Sequence, residues 1–299
     1  MKIAWIGTGV MGKSMAGHLL AAGHALTVFS KTRGKTAALI SNGAIWANSP
    51  REAALGAEIV CSMVGYPADV EKISLGPDGV LQSMQPGSLY IDFTTSSPSL
   101  ALEIFAKAKK NGIAALDAPV SGGDIGAREA RLSIMVGGQS AAFNRALPIL
   151  KCLGKTILYQ GKAGSGQHAK MVNQIMIAGN MMGMCEGLLY AKKAGLNPET
   201  VLASVGGGAA ASWSLSNLYP RILRGDLGPG FYVEHFVKDL QIALSEARRI
   251  KLNLPALALA EKLYAQLKSD GGARLGTQAL IKQLEKMQRH KGTQAEGTK

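Results

Sequence analysis

The chain has 299 residues, of which 47% are apolar and 18% charged; this describes a soluble globular protein and excludes collagen, coiled-coil and low-complexity architectures. Its net charge of +13 is spread evenly, with 16 basic and 10 acidic residues up to Ala163 and 17 and 10 after it, giving +6 and +7. No basic arm concentrates the excess, so no nucleic-acid partner is expected, and attraction of small anions is the milder inference.

Cys61, Cys152 and Cys185 are far apart and odd in number, which predicts reduced thiols in a cytoplasmic protein. The apolar run at the start of the chain is too short for a signal-peptide core and is interrupted by Gly7, Gly9 and Lys13, so no targeting signal is expected. The stretch 171–191 is apolar but carries Asn173, Gln174, Asn180 and Glu186, which predicts a buried helix and no membrane partner.

In chain order, short β-rich runs stand at 3–6, 26–29, 59–62, 89–91, 114–116, 132–136 and 156–158, with helical patterns at 11–22, 35–41, 99–110 and 141–150. Strands that are apolar throughout, separated by amphipathic helices, predict an α/β fold with a doubly wound, mostly parallel sheet covered on both faces. From Gln167 onward the period is helical, over 170–193, 198–204, 215–223, 237–250, 255–268 and 277–288, which predicts an all-α second domain. The stretch Gly161-Lys162-Ala163-Gly164-Ser165-Gly166 reads as a hinge or boundary, giving domains of 1–163 and 164–299. The tail after Arg289 is polar and expected to fray.

The first strand runs straight into Gly7-Thr8-Gly9-Val10-Met11-Gly12, and a helix follows. This strand–turn–helix setting gives a G-x-G-x-x-G its meaning as the phosphate loop of a Rossmann-type dinucleotide site; the bland alternative is a glycine turn with no ligand. Gly7 permits the tight turn, Gly9 lets the backbone approach a pyrophosphate, and Gly12 lets helix and strand pack closely. An NAD site usually has an acidic residue about 20 positions further on. From Lys13 through Pro50 there is none, and Ser30, Lys31, Thr32 and Arg33 stand at the expected place. NADP is therefore favoured over NAD as the cofactor, the plain alternative being that Lys31 and Arg33 solvate a loop.

Lys170, Asn173 and Gln174 share one face near the start of the long helix, at i, i+3 and i+4. A lysine among amides, opening a largely buried helix, is an unusual placement and marks Lys170 as a candidate acid–base group; a solvated surface lysine is the default.

Four motifs in one order resemble the β-hydroxyacid dehydrogenase family, which includes 3-hydroxyisobutyrate dehydrogenase, tartronate semialdehyde reductase and glyoxylate/succinic semialdehyde reductases. They are the Gly7–Gly12 loop, Asp117-Ala118-Pro119-Val120-Ser121-Gly122-Gly123, the stretch from Gly164 to Lys170, and Lys238-Asp239-Leu240. The likeness covers nearly the whole chain. It implies hydride transfer between a nicotinamide and a carbon bearing a hydroxyl or carbonyl beside a carboxylate, with Lys170 as general acid in reduction and general base in oxidation. It implies that Ser121, Gly122 and Gly123 receive the substrate carboxylate, the glycines freeing backbone N–H groups. Asp92-Phe93-Thr94-Thr95-Ser96 resembles the loop beneath the nicotinamide, with Thr95 nearest. Met63 and Val64 resemble the adenosine-side contacts. Lys238 resembles a lysine of the second domain that approaches the cofactor, although Lys238 and Asp239 could equally form a structural ion pair.

The departures are specific. The family pattern places Asn four residues after the lysine; here Gln174 stands there and Asn173 precedes it, and either amide could orient the substrate. Ala130 replaces a common glycine, with Arg131 beside it, and the Met63-Val64-Gly65-Tyr66-Pro67 run differs from the commoner Leu-Pro pairing. Trp213 and Tyr219 are candidates for the substrate pocket, core packing being the alternative. The expectation is thus an NADP(H)-linked enzyme interconverting a small 3-hydroxy acid and its aldehyde, semialdehyde or keto partner. A homodimer or homotetramer is expected, because the long helix has more apolar surface than one small domain covers. The competing readings are a non-catalytic dinucleotide-binding module, a 6-phosphogluconate dehydrogenase, which normally has a longer helical region, and an imine reductase, which commonly lacks the lysine.

Overall fold

The computed structural model describes residues 1–295, with side chains to Gln288, so the end of the expected polar tail lies outside the described residues. The chain divides into two compact units, the first from Met1 to Met171 and the second from Val172 onward.

In the first unit the strands are β1 (Lys2–Ile6), β2 (Ala25–Phe29), β3 (Ile45–Trp46), β4 (Ile59–Ser62), β5 (Leu89–Asp92), β6 (Ala114–Asp117), β7 (Val120–Ser121), β8 (Leu132–Gly138) and β9 (Gly154–Gly161). They form one sheet in the order β3-β2-β1-β4-β5-β6-β8-β7, with β9 also paired to β8. The pairs from β3 through β6 are parallel, as is β8 with β9, while β8 runs antiparallel to β6 and β7. The helices are α1 (Val10–Ala21), α2 (Ala37–Ser41), α3 (Pro50–Ala54), α4 (Pro67–Leu75), α5 (Pro98–Lys110), α6 (Gly123–Arg128) and α7 (Ser140–Lys151). Proline opens α3, α4 and α5, where its missing N–H is no loss, and the Ser49 and Ser97 side chains cap α3 and α5.

The strand period of two divides the core. Ile3 and Trp5 pack with Met15 and Leu19 of α1, while Ala4 and Ile6 pack with Ala53 and Val70 of α3 and α4 on the other face. Both faces are thus covered, which is why the strands read as continuous apolar runs. All seven expected strands are present; β3 and β7, two residues each, were not expected, nor were the short α3, α4 and α6.

The second unit continues α8 (Ser165–Lys193) and adds α9 (Pro198–Val205), α10 (Trp213–Asn217), α11 (Tyr219–Leu223), α12 (Val233–Arg249), α13 (Pro255–Leu267) and α14 (Leu280–Ala295). Phe236 of α12 and Tyr264 of α13 meet edge to face at 4.9 Å, and the Tyr264 hydroxyl donates to the Thr277 carbonyl at 2.8 Å. The single helix expected over 215–223 is two, because Pro220, in the first turn of α11, has no N–H to carry the i→i−4 ladder on from α10. The last helix runs on to Ala295 instead of stopping at Gln288. Among the described residues no helix is long and apolar enough to cross a membrane.

The three cysteines are free: Cys61 and Cys185 are buried and Cys152 is partly exposed. Burial pushes the Cys61 thiol far above its ordinary range and that of Cys185 up to about 12.

Candidate dinucleotide site and acid–base residues

The loop between β1 and α1 is fixed by contacts that tolerate only glycine at two points. Gly7 adopts φ +97°, and a Cβ there would stand 2.2 Å from the Met63 carbonyl oxygen; a Cβ on Gly12 would stand 2.1 Å from the Gly7 oxygen. Gly7 N–H donates to Phe29 O at 2.8 Å, and Trp5 Nε1 donates to Gly7 O at 2.8 Å. Gly9 differs: no heavy atom among the described residues lies within 4 Å of where its Cβ would be. It is also the cap of α1, without a side-chain acceptor for the helix's first N–H groups, and the opening turn Val10-Met11-Gly12-Lys13 has no carboxylate. Such a terminus is a ready anion site. Thr8 is 2% exposed, yet its Oγ1 has no hydrogen-bond partner among the described residues. An open glycine, an uncapped helix and an orphaned hydroxyl together fit the pyrophosphate of a dinucleotide.

At the end of β2, Ser30 is buried, while Lys31 and Thr32 are exposed. The expectation that no carboxylate stands near these residues is corrected. Asp69 of α4, 38 residues downstream, forms an ion pair with Lys31. Arg33 lies over the Trp46 ring, 5.5 Å from its centroid.

Loops after adjacent parallel strands line one sheet edge, and β2, β1, β4 and β5 are adjacent. This gathers Ser30–Thr32, the Gly7–Gly12 loop, Met63–Val64 and Thr95 at the carboxyl ends of the strands. Val64 N–H donates to Thr94 Oγ1 at 3.0 Å, tying two of these loops together. Beneath them Asp92 is buried, its Oδ1 accepting from Ser62 Oγ at 2.8 Å and from Thr94 N–H at 3.1 Å. Burial, reinforced by the charge of Asp117, raises Asp92 to about 6.

Asp117 ends β6 and caps α8: its carboxylate accepts the Gly164 and Gln167 N–H groups, each at 2.8 Å. Burial raises this group also to about 6, against the opposing pull of those hydrogen bonds. The approach is close enough that a Cβ on Gly166 would lie 2.5 Å from the Asp117 carbonyl oxygen, so packing dictates the glycine. Gln167, fully buried, accepts from Ser96 N–H at 2.9 Å through Oε1 and donates to Thr94 O at 2.8 Å through Nε2. It therefore pins the Asp92–Ser96 loop to α8. Neither Gln167 nor Asp69 was singled out from sequence, since each acts through a partner far along the chain.

Ser121 is half-buried, and Gly122 and Gly123 follow with φ +130° and +63°, a backbone conformation open to glycine. Ala130 takes φ +51°, a left-handed conformation that favours glycine. Arg131 pairs with Glu129.

On α8, Lys170 is 6% exposed, buried as surface lysines are not. Asn173 is half-buried and Gln174 fully so; Asn173 Nδ2 donates to Gln174 Oε1 at 2.6 Å, and Gln174 Nε2 donates to Asp239 Oδ2 at 2.6 Å. Lys238 Nζ lies 2.7 Å from Asp239 Oδ1, so the ion pair weighed from sequence is present. Trp213, which belongs with Lys238 to the second unit, is 67% exposed. Tyr219 packs inside that unit, its hydroxyl donating to Pro198 O at 3.2 Å, so of the two aromatics it is the core residue. Among the described residues no cluster of three or more His, Cys, Asp or Glu side chains could hold a metal ion.

Residues 2–161 match the NAD binding domain of 6-phosphogluconate dehydrogenase, and residues 164–284 match the NAD-binding domain of NADP-dependent 3-hydroxyisobutyrate dehydrogenase. The chain is 48% identical to a probable 3-hydroxyisobutyrate dehydrogenase-like protein 1, mitochondrial, of Arabidopsis thaliana, over 96% of this chain and 86% of that one. It is 39% identical to the 2-hydroxy-3-oxopropionate reductase of Escherichia coli (strain K12), over 97% and 99%. Its fold matches a solved Mycobacterium tuberculosis 3-hydroxyisobutyrate dehydrogenase with L-serine at a TM-score of 0.88, with 31% identity and 95% and 98% coverage. The chain thus belongs to the β-hydroxyacid dehydrogenase family, NAD(P)-dependent oxidoreductases that act on CH–OH groups.

Proposed function

We propose that the protein is an NADPH-dependent reductase of a small aldehyde acid, running a 3-hydroxy acid and its aldehyde, semialdehyde or keto partner through one acid–base residue, Lys170. The observation that carries this reading is the burial of Lys170 three residues beyond Gln167, on a helix whose start is capped by Asp117 and tied to the Asp92–Ser96 loop. When bound, the reduced nicotinamide supplies the hydride. Lys170 Nζ–H donates its proton to the carbonyl oxygen as the new C–H bond forms, leaving an alcohol and a neutral amine that is reprotonated from solvent. Gly7, Thr8, Gly9 and the first N–H groups of α1 hold the pyrophosphate, Met63 and Val64 flank the adenosine, and Thr95 supports the nicotinamide. Ser121 with the Gly122 and Gly123 amides holds the substrate carboxylate; in this reading Trp213 is a substrate residue and Lys238 a cofactor residue. Residues 1–163 serve as the cofactor domain and 164–299 as the helical domain.

NADP is the preferred cofactor in this reading, because Ser30, Lys31, Thr32 and Arg33 offer hydroxyls and cations to a 2′-phosphate. The relative named for 2-hydroxy-3-oxopropionate supports an aldehyde acid as substrate. The enzyme works in the cytoplasm as a homodimer or homotetramer: α8 exposes Val172, Met176 and Tyr190, and open glycines at Gly179, Gly183 and Gly187 lie along it. The test follows reduced-nicotinamide absorbance with both cofactors across a panel of short aldehyde acids and 3-hydroxy acids. Turnover with NADPH, abolished by Lys170→Met with cofactor affinity retained, is the expected result. Turnover near wild type in that variant removes Lys170 from the proton transfer, and tight NADPH binding with no turnover on any compound makes the protein a binding module.

A further inference from the structure

Trp5, the fourth residue of β1, is fully buried in the first unit, on the sheet face that packs against Met15 and Leu19 of α1. Its side chain has two engagements. The indole Nε1–H donates to the Gly7 carbonyl oxygen at 2.8 Å, and the ring stacks on Phe93 with centroids 5.8 Å apart and planes 18° from parallel. Gly7 belongs to the phosphate loop. Phe93 opens the loop after β5 and is followed by Thr94, whose Oγ1 accepts from Val64 N–H, and by Thr95. One core side chain therefore supports two cofactor loops from beneath.

Both polar groups of Gly7 are committed by these contacts. Its N–H donates to Phe29 O at 2.8 Å. Its carbonyl is drawn inward to the indole, into the space beside Gly12, where a Cβ would stand 2.1 Å from that oxygen and 3.3 Å from Trp5 Nε1. In a trans peptide the C=O and the following N–H point in opposite directions, so the Thr8 N–H is turned away from the buried indole. An oxygen held inward and an N–H held outward is the orientation an anion needs; the reverse sets a carbonyl dipole against the phosphates. Glycine at φ +97° leaves the Gly7–Thr8 peptide free to turn over, and without the indole N–H the inward carbonyl is a buried acceptor that has lost its donor.

We propose that Trp5 is a positioning residue for the dinucleotide: its N–H locks the Gly7–Thr8 peptide with the Thr8 N–H toward the pyrophosphate, and its stack on Phe93 steadies the Asp92–Ser96 loop at the same time. A phenyl ring in its place keeps an aromatic face for Phe93 but donates nothing to Gly7. The assignment rests on the reading of the Gly7–Gly12 loop as the pyrophosphate site and is independent of the role of Lys170.

The experiment measures NADPH and NADH Kd by fluorescence titration in wild type and Trp5→Phe, with adenosine 2′-monophosphate, which has no pyrophosphate, as the control ligand. The variant is expected to weaken both dinucleotides by the same factor of about ten, the equivalent of one hydrogen bond, while the control ligand stays within about twofold. A loss of packing alone moves the melting temperature without this split. Should the variant fail to fold, the wild-type indole carries the test. The Trp5 N–H signal, identified by NMR after removal of the other two with Trp46→Phe and Trp213→Phe, is expected to exchange with deuterium about tenfold more slowly when NADPH is bound. Trp5→Phe with wild-type affinity for both dinucleotides, an equal loss for adenosine 2′-monophosphate, or an indole exchange rate indifferent to NADPH overturns the assignment alone. A wild type that binds neither dinucleotide overturns the pyrophosphate reading of the loop, and this assignment with it.

Discussion

The Asp117 carboxylate accepts the backbone N–H of Gln167 at 2.8 Å across 50 residues of chain, joining the end of a strand to the start of the helix that carries Lys170. Replacing Asp117 with Ala leaves the Gly164 and Gln167 N–H groups buried and unpaired, at about 1–3 kcal/mol each. Part of this is offset by relief of a buried charge. A net loss of about 2 kcal/mol is expected in urea unfolding, together with a fall in kcat as the first turns of α8 loosen.

The same buried acids set a pH dependence. Burial raises Asp92 and Asp117 from an ordinary 3.8 to about 6, so the native state holds protons that the unfolded chain has released. Their contribution to stability is full below the unfolded value and is lost as pH rises through about 6. Asp92→Asn keeps the acceptor for Ser62 and Thr94 while removing the titration. The variant should match wild type near pH 4 and be more stable above pH 7, by on the order of 2 kcal/mol, measured as urea midpoints across that range. A variant whose stability follows the wild-type slope would refute this account.

Lys31 and Asp69 form an exposed ion pair worth little to the fold. A 2′-phosphate would compete with Asp69 for the lysine. Asp69→Asn should tighten NADPH by about threefold to tenfold and leave NADH nearly unchanged, whereas Lys31→Ala should weaken NADPH about tenfold. Fluorescence titration of the reduced cofactors reads both effects.

Thr8 offers a cleaner separation of fold from ligand. Its buried hydroxyl has no partner among the described residues, so Thr8→Val should leave the melting temperature of the ligand-free protein level or slightly raised. Cofactor affinity should drop about tenfold, the equivalent of one hydrogen bond. Unchanged affinity would disconnect the hydroxyl from the phosphates.

Ala130 holds φ +51°, where a side chain is strained by roughly 1 kcal/mol. Ala130→Gly should stabilise the protein by about 0.5–1 kcal/mol in urea titrations, with kcat unchanged.

The sheet was legible because its central strands β1, β4 and β5 are buried on both faces, and the phosphate loop because Gly7 and Gly12 answer to steric demands local to one β-α turn. Two-residue strands such as Ile45–Trp46 have no period to read. The pattern over 215–223 reads as one helix because its apolar spacing carries across Pro220, which nevertheless starts a new one. Lys170 stood out by its neighbours, and the family motifs gave it a role. Asp69, Gln167 and the tie of Gln174 to Asp239 could not be read, because each depends on a partner 38 to 71 positions away that only the folded chain supplies.

The cysteines bear on how the protein meets oxidants. With Cys61 and Cys185 buried and held as neutral thiols, neither offers a nucleophilic sulfur near neutral pH. Electrophiles and peroxides therefore find their target at Cys152, just past the end of α7, which makes that position a natural single attachment point for a reporter dye.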